Sequence, residues 1–159
     1  MKHVVGVADM KLAAETGDVL VTHALGSCLG IAAYDPALQL GGLLHVMLPQ
    51  ASLNPDKAKA NPFMFVDSGV PAFFRTLFAQ GASKGRLVVK VAGGANVQDL
   101  AGDRFEIGKR NHVMLRKLLW QNGVMVKAED VGGSHPRTMY LEIGSGRCWL
   151  STGGQEIEF

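Results

Sequence analysis

Short aliphatic runs separated by turn residues fill the first third of the chain, and this pattern predicts β-strands. The runs are rich in Val, Leu and Ile and are bounded by Gly, Asp or Pro, and they cover residues 4–7, 19–23, 29–34 and 43–48. Pro49 ends the fourth strand, because proline cannot donate to a strand ladder. The polar stretch over residues 50–61 predicts a loop and is the best candidate for a mobile segment.

The hydrophobic spacing changes to a helical period after this stretch, which predicts a first helix over residues 63–80. Five apolar residues repeat at helical spacing: Val70, Phe73, Phe74, Leu77 and Phe78. Asp67 or Ser68 is the expected N-cap, and Gly81 is a natural C-terminal stop.

A second helix is predicted over residues 108–121, with Gly123 after its end. Its inward positions are expected to be Val113, Leu115, Leu118 and Leu119. Further aliphatic runs before and after this helix predict strands over residues 87–91, 124–131, 138–143 and 148–151.

The balance of elements indicates the fold class. Two helices cannot cover both faces of a sheet with about eight strands, so we expect helices on one side and strands folded into two layers. The prediction is therefore an α+β layered sandwich. The chain has no internal repeat and no linker, and we expect a single domain over residues 1–159.

Composition excludes several classes of protein. With 159 residues, 47% of them hydrophobic and 19% charged, the chain can bury its own core. A net charge of +2 and the absence of a long basic run argue against a nucleic-acid partner. The uncharged segments 19–34 and 36–55 are interrupted by Gly, Ser, His, Pro or Asn, and neither is apolar enough to insert into a membrane.

Cysteine use points to a reducing compartment. The two cysteines, Cys28 and Cys148, form neither a disulfide framework nor a CxxC metal motif. The N-terminal apolar stretch is too short for a signal peptide. We therefore expect a cytoplasmic protein without a bound metal.

One cysteine and one histidine could together perform acyl transfer, which needs a sulfur nucleophile and an imidazole that moves protons. Cys28 lies on a turn flanked by Gly26 and Gly30, where the backbone can approach a ligand. His45 lies in an apolar strand. From the residues alone a second interpretation stays open, because free cysteines and histidines on apolar faces are often ordinary core residues.

Strand alternation places His45 on the same face as Leu43 and Met47, with Leu44, Val46 and Leu48 on the other face. Thr22 is by itself an ordinary β-branched strand residue, and Cys148 is expected in the core. The segment 93–96, GGAN, predicts a turn near the rim of the site rather than a nucleotide site. Asn111 is expected to face solvent, and no role is assigned to His3, His23, His112 and His135.

Five motifs in order resemble those of the CheD family, bacterial and archaeal chemotaxis proteins that deamidate glutamines on chemoreceptors. They are LGSC at 25–28, GLLHVMLP at 42–49, GGAN at 93–96, IGKRN at 107–111 and AEDVGG at 128–133. The resemblance covers about residues 4–150. One departure follows Gly132 and Gly133, where the family usually reaches a short Gly-Arg and this chain has His135, Pro136 and Arg137.

The resemblance implies a three-layer α/β/β sandwich with a Cys-His centre and no cofactor. It places the nucleophile at Cys28, the catalytic histidine at His45 and the catalytic threonine at Thr22. For the chemistry, backbone N–H groups in the turn at Gly26, Ser27 and Cys28 are the expected oxyanion donors. The implied substrates are methyl-accepting chemoreceptors, whose glutamines become glutamates with release of ammonia.

Other functions also remain possible. The resemblance implies docking to the chemotaxis phosphatase CheC, so the chain could be mainly a regulator of that partner, with catalysis secondary. A thiol hydrolase for small amides or esters is another possibility. A group of basic residues is either a solvated helix face or a surface that attracts an acidic partner helix: Arg104, Lys109, Arg110, Arg116 and Lys117.

Overall fold

Ten strands and three α-helices make up the computed structural model, which describes residues 1–96 and 106–159. The strands are β1 (Lys2–Val4), β2 (Asp9–Ala13), β3 (Val19–Leu25), β4 (Leu29–Asp35), β5 (Leu40–Val46), β6 (Val88–Gly93), β7 (Val126–Val131), β8 (Arg137–Glu142), β9 (Cys148–Thr152) and β10 (Gln155–Glu158). The helices are α1 (Pro55–Ala60), α2 (Val66–Ala79) and α3 (Ile107–Gln121).

The strands form two five-stranded mixed sheets. The outer sheet has the order β1-β3-β8-β9-β10, and the central sheet has the order β2-β5-β4-β6-β7. The pairs β1–β3 and β6–β7 are parallel, and the other pairs are antiparallel. The central sheet therefore carries β4 and β5 side by side, and the outer sheet carries β3.

Two hydrophobic cores define three layers. One core lies between α2, α3 and the central sheet and contains Phe73, Leu44 and Leu115. The other lies between the two sheets and contains Leu20, Leu43 and Met139. Both main helices thus cover one side of the layered sheets, which confirms the predicted α+β sandwich.

Burial explains which strands the sequence pattern found. Every residue of β4 and β5 is buried, because the central sheet is covered on both faces, and such strands give continuous aliphatic runs. The edge strand β2 is half-buried and β10 is exposed, so neither has that pattern. The estimate of about eight strands was therefore too low. The strand predicted over 4–7 is instead β1, which ends at Val4.

The segment 50–61 is not a loop throughout, so that prediction was wrong. It contains a 3₁₀ turn, Ala51–Leu53, followed by α1. The side chain of Asn54 accepts a hydrogen bond from the backbone N–H of Lys57, and Pro55 occupies the first turn, where its missing N–H costs nothing.

The first predicted helix starts later than expected. α2 begins at Val66, and neither Asp67 nor Ser68 caps it: Asp67 accepts from Ala51 N–H and Ser68 donates to the Pro62 carbonyl. In α3, Leu115 and Leu119 are buried as predicted, but Val113 is 58% exposed, so its predicted inward position was wrong.

Candidate active site

The turn that carries Cys28 connects β3 to β4 and is held by backbone hydrogen bonds on one side. The Gly26 carbonyl accepts from Ala95 N–H at 2.8 Å, and the Cys28 carbonyl accepts from Gly94 N–H, also at 2.8 Å. The side chain of Cys28 is half-buried and packs against the core between the sheets. The backbone of residues 94 and 95 therefore fixes the turn, and the thiol lies toward the core between the two sheets.

Glycines allow this close approach. A Cβ atom on Gly93, whose φ is +108°, would collide with the Cys28 carbonyl oxygen. A Cβ atom on Gly108 would lie 2.6 Å from the carbonyl oxygens of Gly94 and Ala95. At the GGAN motif the end of β6 thus packs directly against the Cys28 turn, and at Gly108 of the IGKRN motif α3 packs directly on GGAN.

His45 lies on β5 directly opposite Gly30 of β4, two residues after Cys28. Leu43, two residues before His45, belongs to the core between the sheets. Leu44, the residue directly before His45, belongs to the core on the helix side. Alternation therefore turns the imidazole toward the outer sheet, on the face that it shares with Leu43. His45 is 1% exposed.

Thr22 reaches His45 from the opposite sheet. Its Oγ1 lies 2.7 Å from His45 Nδ1 and donates a hydrogen bond to the Val5 carbonyl, also at 2.7 Å. Because the hydroxyl has a single proton, we assign Nδ1 as the donor in the contact with Thr22. The neutral imidazole then carries its free lone pair on Nε2, which has no hydrogen-bond partner among the described residues.

Burial keeps both reactive groups uncharged at neutral pH. It lowers the pKa of His45 to about 4. It also raises the pKa of the Cys28 thiol, although the backbone N–H of Cys28 itself partly opposes that shift. Cys28 Sγ does not hydrogen-bond to His45 Nε2 in this state. The arrangement therefore suits a neutral thiol that gives up its proton to His45 during attack, rather than a preformed thiolate–imidazolium pair.

The structure thus brings Thr22 and His45 into contact and places the Cys28 turn beside the strand that carries His45. The turn also contains Gly26 and Ser27, the other two predicted site residues. Cys148 is 1% exposed in the core between the sheets, as expected, and burial raises the pKa of its thiol to about 12.

Asn111 was misjudged from the sequence. It was expected to face solvent, but it is fully buried on α3. A signal for this was available, because Gly108, Asn111, Leu115 and Leu119 are three or four residues apart and form the buried stripe of the helix.

Arg137, in the segment that departs from the family pattern, supports the glycine turns. Its guanidinium donates to the carbonyls of Gly93 and Gly132 and pairs with Asp130 at 3.0 Å. This side chain is buried. It therefore ties β7 and the start of β8 to the end of β6, next to the Cys28 turn.

The basic group is only partly in view, since Arg104 lies outside the described residues. Lys109, Arg110, Arg116 and Lys117 are exposed on α3. Arg116 lies 3.4 Å from Glu129, and His112 contacts the same carboxylate at 3.1 Å. Lys109, Arg110 and Lys117 form no ion pair with any described residue.

Within residues 1–96 and 106–159, no group of three or more His, Cys, Asp or Glu side chains could hold a metal ion. Of the helices in the described part of the chain, none is long and apolar enough to cross a bilayer.

Thiol alkylation should distinguish the two cysteines. We expect iodoacetamide to modify Cys28 much faster than Cys148, because Cys28 is partly exposed and Cys148 is in the core with the higher pKa. Because burial raises its pKa, Cys28 should lose its proton only above the usual thiol range, so its rate should still rise beyond about pH 9. Peptide mapping after brief labelling measures both sites. Equal labelling, or faster labelling of Cys148, would contradict this.

Comparison with known proteins shows one family. The model of the family described as CheD chemotactic sensory transduction matches residues 47–152. A protein of Solibacter usitatus (strain Ellin6076) named "Probable chemoreceptor glutamine deamidase CheD" is 45% identical over 155 residues, which cover 98% of this chain and 91% of that protein. A relative from Syntrophus aciditrophicus (strain SB), with the same name numbered CheD 1, is 45% identical over 151 residues, or 95% of this chain and 94% of its own.

Proposed function

This chain belongs to the CheD family, and from that premise we propose that it deamidates glutamine side chains of chemoreceptors. In the proposal Cys28 is the nucleophile, His45 moves the protons and Thr22 orients His45. One observation supports these roles most strongly: the Thr22–His45 hydrogen bond leaves Nε2 as the free base next to the strand that follows Cys28.

In the first step the thiol sulfur of Cys28 attacks the carbon of the substrate carboxamide. His45 Nε2 takes the thiol proton, and negative charge develops on the amide oxygen. Backbone N–H groups of the turn at Gly26, Ser27 and Cys28 are the proposed donors to that oxygen. One such donor is typically worth about 3 kcal/mol of transition-state stabilisation.

In the second step the carbon–nitrogen bond breaks and His45 gives its proton to the leaving nitrogen, so ammonia departs. The buried imidazolium gives up its proton more readily than an ordinary one, because its pKa is only about 4, and this favours the transfer. The product on the enzyme is a γ-glutamyl thioester of Cys28.

In the last step His45 Nε2 takes a proton from water, and the resulting hydroxide attacks the thioester. The carbon–sulfur bond breaks, the sulfur regains the proton from His45, and glutamate is released. Each turnover therefore adds one negative charge to the receptor. The chemistry uses only this chain's own residues, and we place it in the cytoplasm, where free thiols such as Cys28 persist.

A groove between the segment after β5 and α3, the helix whose Asn111 bonds to the Cys28 turn, offers a place for the receptor helix. Its lining begins at Pro49, three residues after β5, and continues along α3 with Lys109, Arg110, Val113 and Lys117, and Glu106 also contributes. We call this the basic groove. It has three exposed cations and the exposed apolar side chain of Val113. It thus suits an acidic amphipathic helix, whose binding would hold the target glutamine near Cys28.

Substrate choice tests this proposal. We expect rapid ammonia release from a cytoplasmic chemoreceptor fragment and very slow release from free glutamine, because free glutamine makes no contact with the groove. In K109E/R110E, KM for the receptor fragment should rise roughly tenfold at low salt, with kcat nearly unchanged. Added salt should raise the KM of the wild type and so reduce the difference in KM between the wild type and the variant.

Lys127→Glu is the matched control, since Lys127 is exposed on β7 and does not line the groove. It should behave like the wild type. If free glutamine is turned over as efficiently as the receptor fragment, the proposal that the substrate is a macromolecule is contradicted.

Docking to the phosphatase CheC remains a further proposal, carried by the family resemblance alone. A Cys28→Ala protein separates the roles. If it still stimulates phosphatase activity while deamidation is lost, the regulatory function is independent of the catalytic one.

A further inference from the structure

Asn111 connects the two segments that carry the proposed nucleophile and base. Its side-chain Nδ2 donates to the Ser27 carbonyl at 2.9 Å and to the Met47 carbonyl at 3.0 Å, so both amide protons are used. Ser27 precedes Cys28, and Met47 lies two residues after His45. A single buried side chain of α3 therefore fixes the Cys28 turn to the end of β5.

The first of these hydrogen bonds also sets the direction of a peptide group. The Ser27–Cys28 peptide is trans, so its carbonyl and its N–H point in opposite directions. With the Ser27 carbonyl held toward Asn111, the N–H of Cys28 must point away from α3. This N–H also favours the ionised form of the Cys28 thiol, as expected for a donor close to the sulfur.

Asn111 is poorly explained as a residue kept for stability. Its Oδ1 atom is buried and has no hydrogen-bond partner among the described residues. A buried acceptor without a partner destabilises a fold, whereas the two bonds made by Nδ2 both end on segments of the proposed site.

We propose that Asn111 is a positioning residue, which orients the Ser27–Cys28 peptide so that the Cys28 N–H meets the developing oxyanion, and which keeps the Cys28 turn at a fixed distance from His45. This inference rests on the proposed deamidase function. It assigns to Asn111 an indirect role, through the backbone of the turn and without contact with the substrate.

Two variants test the proposal: Asn111→Ala, and Asn111→Leu, which fills the same space without a donor. We expect kcat on a receptor fragment to fall about a hundredfold, the usual effect of losing one oxyanion donor, with KM within about twofold. Rates are expressed per native molecule, counted as the fraction that brief iodoacetamide labelling modifies at Cys28 but not at Cys148, because unfolded protein exposes both thiols. Asn122→Ala is the control, because Asn122 Nδ2 donates to the Leu118 carbonyl at the far, exposed end of α3.

A receptor peptide with a side-chain aldehyde in place of the target amide gives a second measurement. Its carbonyl carbon bonds to Cys28 Sγ, and the thiol proton passes to the oxygen, which occupies the proposed oxyanion position. We expect Asn111→Ala to lower the affinity for this aldehyde peptide about a hundredfold. Binding of the ordinary glutamine peptide, measured in a Cys28→Ala background, should stay within about twofold.

The outcomes separate the inference from the function on which it rests. If the wild type releases no ammonia from receptor fragments, the proposed function fails. If the wild type is active and both Asn111 variants keep normal kcat per native molecule and normal aldehyde affinity, the positioning role is overturned. An equal loss of affinity for the aldehyde peptide and the glutamine peptide would also overturn the positioning role, since that result indicates a general loss of binding.

Discussion

Replacing Cys28 with alanine is expected to abolish deamidation, with a loss of about 10⁴-fold or more in kcat. No other thiol can act in its place, because Cys148 is enclosed in the core between the sheets. The fold should persist, since the side chain of Cys28 is only half-buried and the turn is held through its backbone. Ammonia release from a receptor fragment measures activity, and a thermal melt measures the fold.

Cys148→Ala is the matched control for this variant. It removes a sulfur atom from the core and should lower Tm while leaving kcat near that of the wild type. The nucleophile assignment fails if a folded Cys28→Ala protein retains substantial activity, or if Cys148→Ala loses as much activity as Cys28→Ala.

Replacing His45 with alanine should lower kcat by about 10²- to 10⁴-fold, because the thiol then has no base to accept its proton and ammonia has no acid to protonate it. With a His45 pKa of about 4, the imidazole stays unprotonated above that pH. The wild-type kcat/KM should therefore begin to fall only between about pH 5 and pH 4, well below the range of an ordinary histidine.

Alkylation of Cys28 in the same variant separates two mechanisms. In the neutral pair described above, His45→Ala should leave the iodoacetamide rate and its pH dependence nearly unchanged, since Cys28 ionises without His45. A preformed ion pair would instead lose its reactivity near neutral pH. His23→Ala, an exposed histidine on β3, is the control. Near-normal deamidation by folded His45→Ala would show that His45 only packs.

The layered fold could be predicted from the sequence because burial on both faces leaves a clear signal. β4 and β5 are buried along their whole length and rich in aliphatic residues, and α2 and α3 show a helical period. β10 could not be found this way, since all four of its residues are exposed and face no core. Short capped segments such as α1 depend on Asn54 and Pro55, which resemble loop residues until the helix is seen.

The site could be predicted only in part. The residues alone left Cys28 and His45 open between catalysis and packing, and the family resemblance supplied the roles. The Thr22–His45 contact depends on how two sheets face each other, which no local pattern encodes. Asn111 was missed because asparagine near a helix start is usually solvated, although its spacing from Leu115 and Leu119 matched the buried stripe.

The most direct test of the central claim measures two things together: the incorporation of water oxygen into the receptor, and the bond between the receptor and the Cys28 sulfur. A receptor fragment is incubated with the protein in H₂¹⁸O, samples are quenched early in acid, and intact masses and peptides are measured. We predict a gain of about three daltons per converted glutamine and a transient receptor–enzyme adduct mapped to Cys28, both absent with Cys28→Ala. Conversion of the receptor at the wild-type rate by Cys28→Ala, or an adduct on a different residue, would contradict the account.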